Sequence, residues 1–262
     1  MTDTLTTPSA VTTPASTFLS EAPARASATL IPKIIHQTAP TKNLTWEERR
    51  VIRRMRSILA GWQYNLWDDN DNDRFVAGHF PQYLGQYRRI KRGVVKADLA
   101  RYMYLYVYGG FYFDTDYKMV APIGAALLSH PCVLPVSRGD SDDLSSMRLG
   151  NAAMGSVPRH AFWSDFLREL FNDGALENLA EDRIEKTTGP EGLTDFFIRN
   201  RHKYSDVFLA PRHIFHPPLT RGNFSYHPSS ETVGAHLCWG SWRTKNILRL
   251  ARNVFTRKLT AL

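Results

Sequence analysis

Two acidic residues in the middle of the chain, Asp114 and Asp116, have the type and spacing of a metal site. Residues two apart in an extended segment project to the same side, so both carboxylates can converge on one ion. Carboxylate oxygens are the ligands that Mg²⁺ and Mn²⁺ prefer. A divalent ion held in this way commonly grips a diphosphate, so the pair points to nucleotide-sugar chemistry.

The position of the pair makes this interpretation more specific. Paired acids on a loop are usually only solvated, but this pair follows the apolar segment 111–113, which we predict to be a strand. Open α/β sheets bind ligands at the carboxyl ends of their strands. The sequence therefore places the two carboxylates where a ligand would bind.

A second charged pair precedes the strand. Residues 94–108 predict a helix that ends at Gly109, which we expect to be a left-handed C-cap. Asp98 and Arg101 lie three residues apart and so share one helical face. On a surface such a pair would contribute little to stability. The helix is mostly apolar, however, and would bury much of the pair, which indicates a role for it.

The elements around these residues alternate between strands and helices. Residues 45–48 form a capping box that opens a helix with arginines on its outer face, and loops are predicted at 68–73 and 139–146. Strands are predicted at 31–37, 64–67, 207–209 and 213–215, and helices at 158–171, 176–186 and from Pro190 onward. This alternation predicts an α/β sandwich with a mostly parallel sheet flanked by helices. The glycine patterns of dinucleotide-binding and P-loop proteins are absent from the sequence.

Composition restricts the partners and the location. At 262 residues and 43% hydrophobic content the chain can bury one full core, and its formal net charge of +8 favours anionic partners. No stretch approaches the ~20 apolar residues of a membrane-spanning helix, and the N-terminus lacks a signal-peptide pattern. We therefore expect a cytoplasmic protein, free or attached to the cytoplasmic face of a membrane.

Three regions are predicted along the chain. Residues 1–30, rich in Thr, Ala, Ser and Pro, are expected to be a disordered leader. Residues 31–242 form the single folded domain. Residues 243–262 are expected to form a basic amphipathic helix, which either lies on an anionic membrane or docks on the core.

Several segments together resemble a known family. Residues 97–102 (Ala-Asp-Leu-Ala-Arg-Tyr) and 108–116 (Tyr-Gly-Gly-Phe-Tyr-Phe-Asp-Thr-Asp) resemble the signature of the DXD-containing sugar transferases. That group includes glycosyltransferase family 32, with its fungal α-mannosyltransferases and bacterial capsular polysaccharide enzymes, and more distantly the clostridial glucosylating toxins. Segments 31–37, 151–158, 188–190 and 236–242 resemble further motifs of the same family, in the same order.

The resemblance implies a GT-A fold and a metal-dependent, retaining transfer of a hexose. The donor would be a UDP- or GDP-linked sugar, and the acceptor a glycan, a glycolipid or a protein. Asp116 would be a direct ligand of Mn²⁺ or Mg²⁺, while Asp114 would act through water, the ribose or the metal. His236 would be a third contact to the metal or the diphosphate.

The resemblance also assigns roles in donor binding. Asp98 and Arg101 would hydrogen-bond the hydroxyls of the donor sugar, and Asn151 would touch the sugar or the acceptor. Tyr112 would line the donor pocket, and Trp242 would close over the diphosphate or belong to the core. The nucleobase would lie near three residues of the first strand, Ile35, His36 and Gln37.

Three other functions also fit part of the sequence pattern. A haloacid-dehalogenase-type phosphatase also carries D-x-D after an apolar strand, but it expects a small residue where this chain has Lys118. A non-catalytic nucleotide-sugar binder fits the positive charge, whereas nucleic acid is disfavoured because the aromatics lie mainly on core-like helices. A glycosidase is the third alternative, although acids so close in sequence suit a metal better than two flanking carboxylates.

Overall fold

A computed structural model describes residues 30–172, 174–218 and 228–240 of the chain. The expected leader (apart from Leu30), Trp242 and the expected C-terminal helix at 243–262 lie outside these residues. The described part is built on a seven-stranded sheet and a separate two-stranded sheet. None of its helices is both long enough and apolar enough to cross a bilayer.

The strands, including the two of the small sheet, are β1 Ile34–Thr38, β2 Gln63–Trp67, β3 Gly110–Phe113, β4 Tyr117–Met119, β5 Cys132–Arg138, β6 Arg148–Leu149, β7 Ala153–Ser156, β8 Val207–Ala210 and β9 Gly234–His236. The central sheet has the order β2-β1-β3-β7-β5-β6, with β8 paired to β5. Strands β1, β2, β3, β5 and β8 run in one direction, and β6 and β7 run in the other. The predicted α/β architecture with a mostly parallel sheet flanked by helices is therefore confirmed.

Helices cover both faces of the sheet. The helices are α1 Trp46–Ile58, α2 Asp69–His79, α3 Pro81–Arg89, α4 Gly93–Tyr108, α5 Ala125–Leu128, α6 Ala161–Asn172, α7 Glu181–Thr187, α8 Pro190–Asn200 and α9 Arg212–Phe215, with short 3-10 helices at Ala175–Asn178 and Arg201–Lys203. The sheet separates the two largest apolar clusters. Along β3, Phe111 and Phe113 belong to the cluster on the α1 side, and Tyr112 belongs to the cluster on the α4 side.

Two glycines join α4 to β3. Gly109 has φ 66° and ψ −153°, so it caps α4 with a positive φ but not in the left-handed helical conformation that the sequence predicts. Gly110 has φ 85°, and a Cβ there would lie 2.5 Å from the carbonyl oxygen of Ile34. Both the backbone conformation and the close approach to β1 therefore require glycine. This tight join places the carboxyl end of β3 directly beside α4.

Three further local predictions are wrong. The acidic run at 68–73 begins α2 instead of forming a loop, because Asp68 and Asp71 cap the helix reciprocally. The predicted strand at 213–215 is the single-turn helix α9. The predicted helix at 176–186 is split into the 3-10 helix Ala175–Asn178 and α7.

Candidate active site

The two carboxylates leave the sheet at the carboxyl ends of its parallel strands. Asp114 directly follows β3, and its backbone N–H donates to the carbonyl of Ala152, just before the antiparallel strand β7. Asn151 is therefore brought to the same edge of the sheet. The predicted placement of the acidic pair at this edge agrees with the structure.

The small sheet brings a distant histidine to the pair. Strand β4 follows Asp116, and its first residue, Tyr117, pairs with His236 of β9. The His236 Nε2 atom lies 3.1 Å from the Asp116 Oδ1 atom and 3.5 Å from the Asp114 Oδ2 atom. Two backbone N–H groups hold Asp116: Leu237 donates to its carbonyl oxygen and Trp239 to its carboxylate.

Electrostatic interactions shift the pKa values of Asp116 and His236. Burial works against ionisation of Asp116, but His236 and the hydrogen bond from Trp239 hold the pKa of Asp116 below its usual range. Burial likewise opposes a charge on His236, yet the carboxylate of Asp116 raises the pKa of this imidazole well above its usual value. The cluster therefore holds a positive charge between two carboxylates.

The residues present fit a divalent cation. Asp114, Asp116 and His236 each offer a ligand atom, and these three atoms lie within 4.8 Å of one another. Two carboxylates with one imidazole suit Mn²⁺, and the oxygen atoms suit Mg²⁺. The side chains remain 13% to 24% exposed, so the group can be reached from solvent.

The charged pair of α4 lies directly behind this cluster. Asp98 and Arg101 are 3% and 6% exposed, and the Arg101 Nη2 atom lies 3.0 Å from the Asp98 Oδ1 atom. The other guanidinium nitrogen, Nη1, donates to the Asn151 carbonyl at 2.8 Å and lies 3.2 Å from the Asp114 Oδ1 atom. Arg101 thus connects the buried pair to the acidic pair.

Hydrogen bonds satisfy Asp98 on every side. Thr188 donates its hydroxyl to Oδ2 at 2.8 Å, and the Asn151 side chain donates to Oδ1 at 3.1 Å. Burial raises the pKa of Asp98 to about 6, although Arg101 and these hydrogen bonds oppose the shift. Burial also opposes the charge of Arg101, but the carboxylate of Asp114 keeps its pKa above the ordinary value.

Tyr112 connects the two parts of the site. Its hydroxyl donates to the Asp114 Oδ1 atom at 2.7 Å, and the Arg101 guanidinium lies 4.7 Å from the centre of its ring. The side chain is 1% exposed. The structure therefore places Tyr112 beneath the acidic pair, where it orients one carboxylate.

The three residues of β1 that were expected near a nucleobase are fully enclosed, since Ile35, His36 and Gln37 are at most 1% exposed. His36 donates from Nε2 to the Gly109 carbonyl and accepts from the Trp67 indole, so both ring nitrogens are occupied. Burial lowers the pKa of His36 to about 4, which keeps it neutral.

Gln37 donates to the backbone carbonyl of Asp114 and accepts a hydrogen bond from the Tyr64 hydroxyl. His36 and Gln37 therefore hold the α4–β3 join and the acidic turn in place. Contact between β1 and a nucleobase stays a prediction.

Two residues at the site carry no sequence signal of their role. Thr188 lies in the motif segment 188–190, but only the structure shows that it holds Asp98. The second is His216, whose ring centre lies 6.3 Å from that of His236. Its Nε2 atom is buried without a hydrogen-bond partner among the described residues, and a Cβ at Gly150 would lie 2.3 Å from it. No local sequence signal marks either residue, because each reaches the site only through the packing of distant segments.

The fold and the site together define a class. A mostly parallel α/β sheet carries D-x-D at the carboxyl end of a central strand, with a buried Asp–Arg pair beside it. These are the features of a sugar transferase of the DXD type.

Comparisons with known proteins agree with this class. The family model described as "Glycosyltransferase sugar-binding region containing DXD motif" matches residues 46–134. An uncharacterized glycosyltransferase of Acanthamoeba polyphaga mimivirus is 34% identical over 244 residues, which cover 87% of this chain and 90% of the relative. The chain belongs to the family of glycosyltransferases whose sugar-binding region contains a DXD motif.

Fungal relatives match over a shorter region. A mannosyl phosphorylinositol ceramide synthase of Saccharomyces cerevisiae is 34% identical over 62% of this chain and 40% of the relative. Inositol phosphoceramide mannosyltransferase 2 of Schizosaccharomyces pombe is 30% identical over 66% of this chain and 48% of the relative. The chain thus spans less than half the length of these two enzymes.

One solved structure, the PaToxG glycosyltransferase, shares the fold. The similarity has a TM-score of 0.51 at 16% sequence identity and covers 64% of this chain and 69% of that chain. A likeness at this level of identity concerns the architecture, and it supports the expected GT-A type.

Proposed function

We propose that this protein is a metal-dependent, retaining glycosyltransferase that moves a hexose from a nucleoside-diphosphate sugar to an acceptor. The observation that carries the proposal is the cluster of Asp114, Asp116 and His236, set directly against the buried Asp98–Arg101 pair. One part offers ligands for a cation, and the other offers fixed hydrogen-bonding groups for a sugar.

Asp116 and His236 would hold Mn²⁺ or Mg²⁺, with Asp114 as a third ligand or as a contact through water or the ribose. When bound, the ion supplies charge stabilisation for the departing diphosphate. Asp116 is fixed for this purpose by the backbone N–H groups of Leu237 and Trp239. Its carboxylate does not need to reorganise when the donor binds, which favours catalysis.

The buried pair would orient the donor sugar. Arg101 is held by Asp98, by Asp114 and by the carbonyl of Asn151, so the guanidinium has one defined position. Groups held in this way supply orientation at little entropic cost when the substrate binds. Asn151 lies between the pair and the edge of the sheet, and we assign it to the sugar or the incoming acceptor.

No protein side chain is assigned as the general base. In a retaining transfer the departing phosphate oxygen can take the proton of the acceptor hydroxyl as the new glycosidic bond forms. The enzyme then needs only to hold the donor, stabilise the charge and exclude water.

The names of the fungal relatives suggest the substrates. One is named a mannosyl phosphorylinositol ceramide synthase and the other an inositol phosphoceramide mannosyltransferase, so both names combine mannose with an inositol-containing ceramide lipid. We therefore propose mannose as the first sugar to test, linked to GDP or UDP, and a glycolipid as the first class of acceptor. Glycan and protein acceptors are the other two classes to test.

The test is donor hydrolysis in a panel of GDP- and UDP-linked sugars with Mn²⁺, followed as release of the nucleoside diphosphate. We expect slow hydrolysis of one donor, abolished by a chelator and by Asp116→Asn. An acceptor that accelerates this release is then used to make the glycosylated product. The anomeric configuration of that product, determined by NMR, tests whether the transfer is retaining.

Two results would overturn the proposal. Phosphate release from simple monoesters without donor hydrolysis would favour a phosphatase. Metal-dependent binding of a donor without turnover on any acceptor would favour a nucleotide-sugar binder.

A further inference from the structure

The outer face of α1 combines five arginines with an exposed tryptophan. Trp46, Arg50 and Arg53 are spaced four and three residues apart, so they share the outermost line of the helix. Trp46 is 47% exposed although it is a large aromatic residue. We call this surface the arginine face, and it consists of the exposed residues Trp46, Arg49, Arg50, Arg53, Arg54 and Arg56.

Four of these arginines have guanidinium groups that contact carbonyl oxygens or an aromatic ring in the described part of the chain. Arg49 donates to the Leu44 carbonyl and Arg54 to the Met119 carbonyl. Arg53 contacts the Arg49 carbonyl, and Arg56 lies 4.9 Å from the centre of the Tyr64 ring. Contacts with carbonyls and rings orient a guanidinium but do not neutralise its charge. Within the described ranges these four arginines therefore present a concentrated positive potential.

A recess lies beside the same face. Its volume is about 380 Å³, and its lining includes Arg53, Arg56, Ser57, Trp62 and Tyr64. Two guanidinium groups with hydroxyl and aromatic neighbours suit a phosphate attached to a larger head group.

The first turn of α1, which carries Trp46 of the arginine face, lies at the candidate active site. Glu48 of the first helical turn accepts a hydrogen bond from Thr115, which lies between the two metal-site aspartates. Val51 packs with Leu237 and Trp239, the segment whose backbone holds Asp116. The amino-terminal end of α1 therefore lies beside the site.

We propose that the arginine face of α1 docks the protein on an anionic lipid bilayer and so presents a lipid acceptor to the neighbouring site. The docking itself needs no activity, whereas the presentation of an acceptor rests on the proposed function. Arginines bind lipid phosphates, and an amphipathic Trp46 belongs at the boundary between head groups and acyl chains. A soluble polyanion would satisfy the arginines but would give Trp46 no apolar environment, so the bilayer is favoured.

The test compares binding of the full chain to two kinds of vesicle, pure phosphatidylcholine and phosphatidylcholine with one-third phosphatidylinositol. We expect binding only to the anionic vesicles. The triple variant Arg50→Gln, Arg53→Gln, Arg56→Gln should lose affinity by about 100-fold, because each basic residue near such a surface contributes about 1 kcal/mol. Lipid-free donor hydrolysis by this variant should match the wild type, which separates docking from catalysis.

Two matched variants carry the same loss of charge elsewhere. Arg183→Gln, Lys186→Gln, Arg201→Gln changes exposed residues on the opposite side of the sheet, where Ile184 packs with the α4 cluster. Arg249→Gln, Arg252→Gln, Arg257→Gln changes the C-terminal segment. We expect both to bind nearly as the wild type does.

Four results would overturn the inference. They are equal binding to neutral and anionic vesicles, wild-type binding by the α1 variant, loss of binding only in the C-terminal variant, and binding to heparin or RNA without binding to vesicles. Vesicle binding as predicted, in a protein that hydrolyses no donor, would refute the proposed function and leave the docking surface intact.

Discussion

The site contains two acid–base pairs that differ in how the protein treats their charge. The Asp98–Arg101 pair is almost fully buried, and hydrogen bonds from Thr188 and Asn151 saturate the carboxylate. The Asp116–His236 pair is partly exposed, and its positive partner is an imidazole that can lose its proton. The charge on a buried guanidinium is permanent, whereas the proton that charges a histidine can be replaced by a metal ion.

This difference separates a pair that belongs to the rigid scaffold and would orient the sugar from a pair that would bind the metal. Replacing a member of the buried pair should affect folding as well as donor binding, because it leaves charge without compensation in the interior. Replacing a member of the exposed pair should mainly affect metal binding and turnover. The predictions below, from the largest effect to the smallest, test that separation.

Arg101→Met should be the most damaging change. It leaves the carboxylates of Asp98 and Asp114 without their shared counter-charge, and removal of one partner from a buried ion pair costs about 3–5 kcal/mol. Urea unfolding followed by circular dichroism measures the loss. Arg101→Lys, which keeps a charge but not the fork geometry, should fall between this variant and the wild type. A loss below about 1 kcal/mol would mean that the pair is not part of the scaffold.

Asp116→Asn should abolish turnover with little effect on folding. The amide oxygen can still accept the hydrogen bond from Trp239, so the free energy of unfolding should change by about 1 kcal/mol at most. Donor hydrolysis should fall by at least about 100-fold, because a bound metal contributes several kcal/mol to charge stabilisation. Equal hydrolysis by variant and wild type at low Mn²⁺ would contradict the assignment.

His236→Gln should weaken the metal site while leaving the rest of the catalytic groups in place. We expect the Mn²⁺ concentration needed for half-maximal hydrolysis to rise by about 10- to 100-fold. Saturating Mn²⁺ should then restore most of the activity. If the activity were lost and no Mn²⁺ concentration restored it, His236 would act on the donor instead of the metal.

Tyr112→Phe should have the smallest effect. It removes one hydrogen bond to the Asp114 carboxylate, which contributes about 1 kcal/mol, or roughly a fivefold change in hydrolysis. The ring continues to stack under Arg101, so stability should be nearly unchanged. A stability loss larger than the activity loss would place Tyr112 with the scaffold.

The same comparison explains which parts of the site the sequence could predict. Asp98, Arg101 and the acidic pair lie within one helix–turn–strand segment, where helical spacing and paired glycines are local signals. His236 reaches the site because Tyr117 pairs with it across the small sheet, and only the family resemblance indicated its place.

Local sequence patterns also predicted the wrong secondary structure in two segments. Asp68 and Asp71 look like a solvated loop but form a reciprocal helix cap. The segment 213–215 is too short for its side-chain pattern to separate a strand from one turn of helix. The hydrogen bonds that His36 and Gln37 make to the α4–β3 segment depend on how that segment packs against β1, which no local pattern specifies.

The most direct test of the account is a Mn²⁺ titration followed by electron paramagnetic resonance, with the wild type and Asp116→Asn at matched folded concentration. The account predicts that the wild type binds one Mn²⁺ and that adding the preferred nucleoside-diphosphate sugar changes the spectrum of the bound ion. Asp116→Asn should lose both effects while keeping its unfolding transition. Equal binding of Mn²⁺ by the two proteins, or no binding by the wild type with the donor present, would contradict the central claim that this cluster holds a catalytic metal.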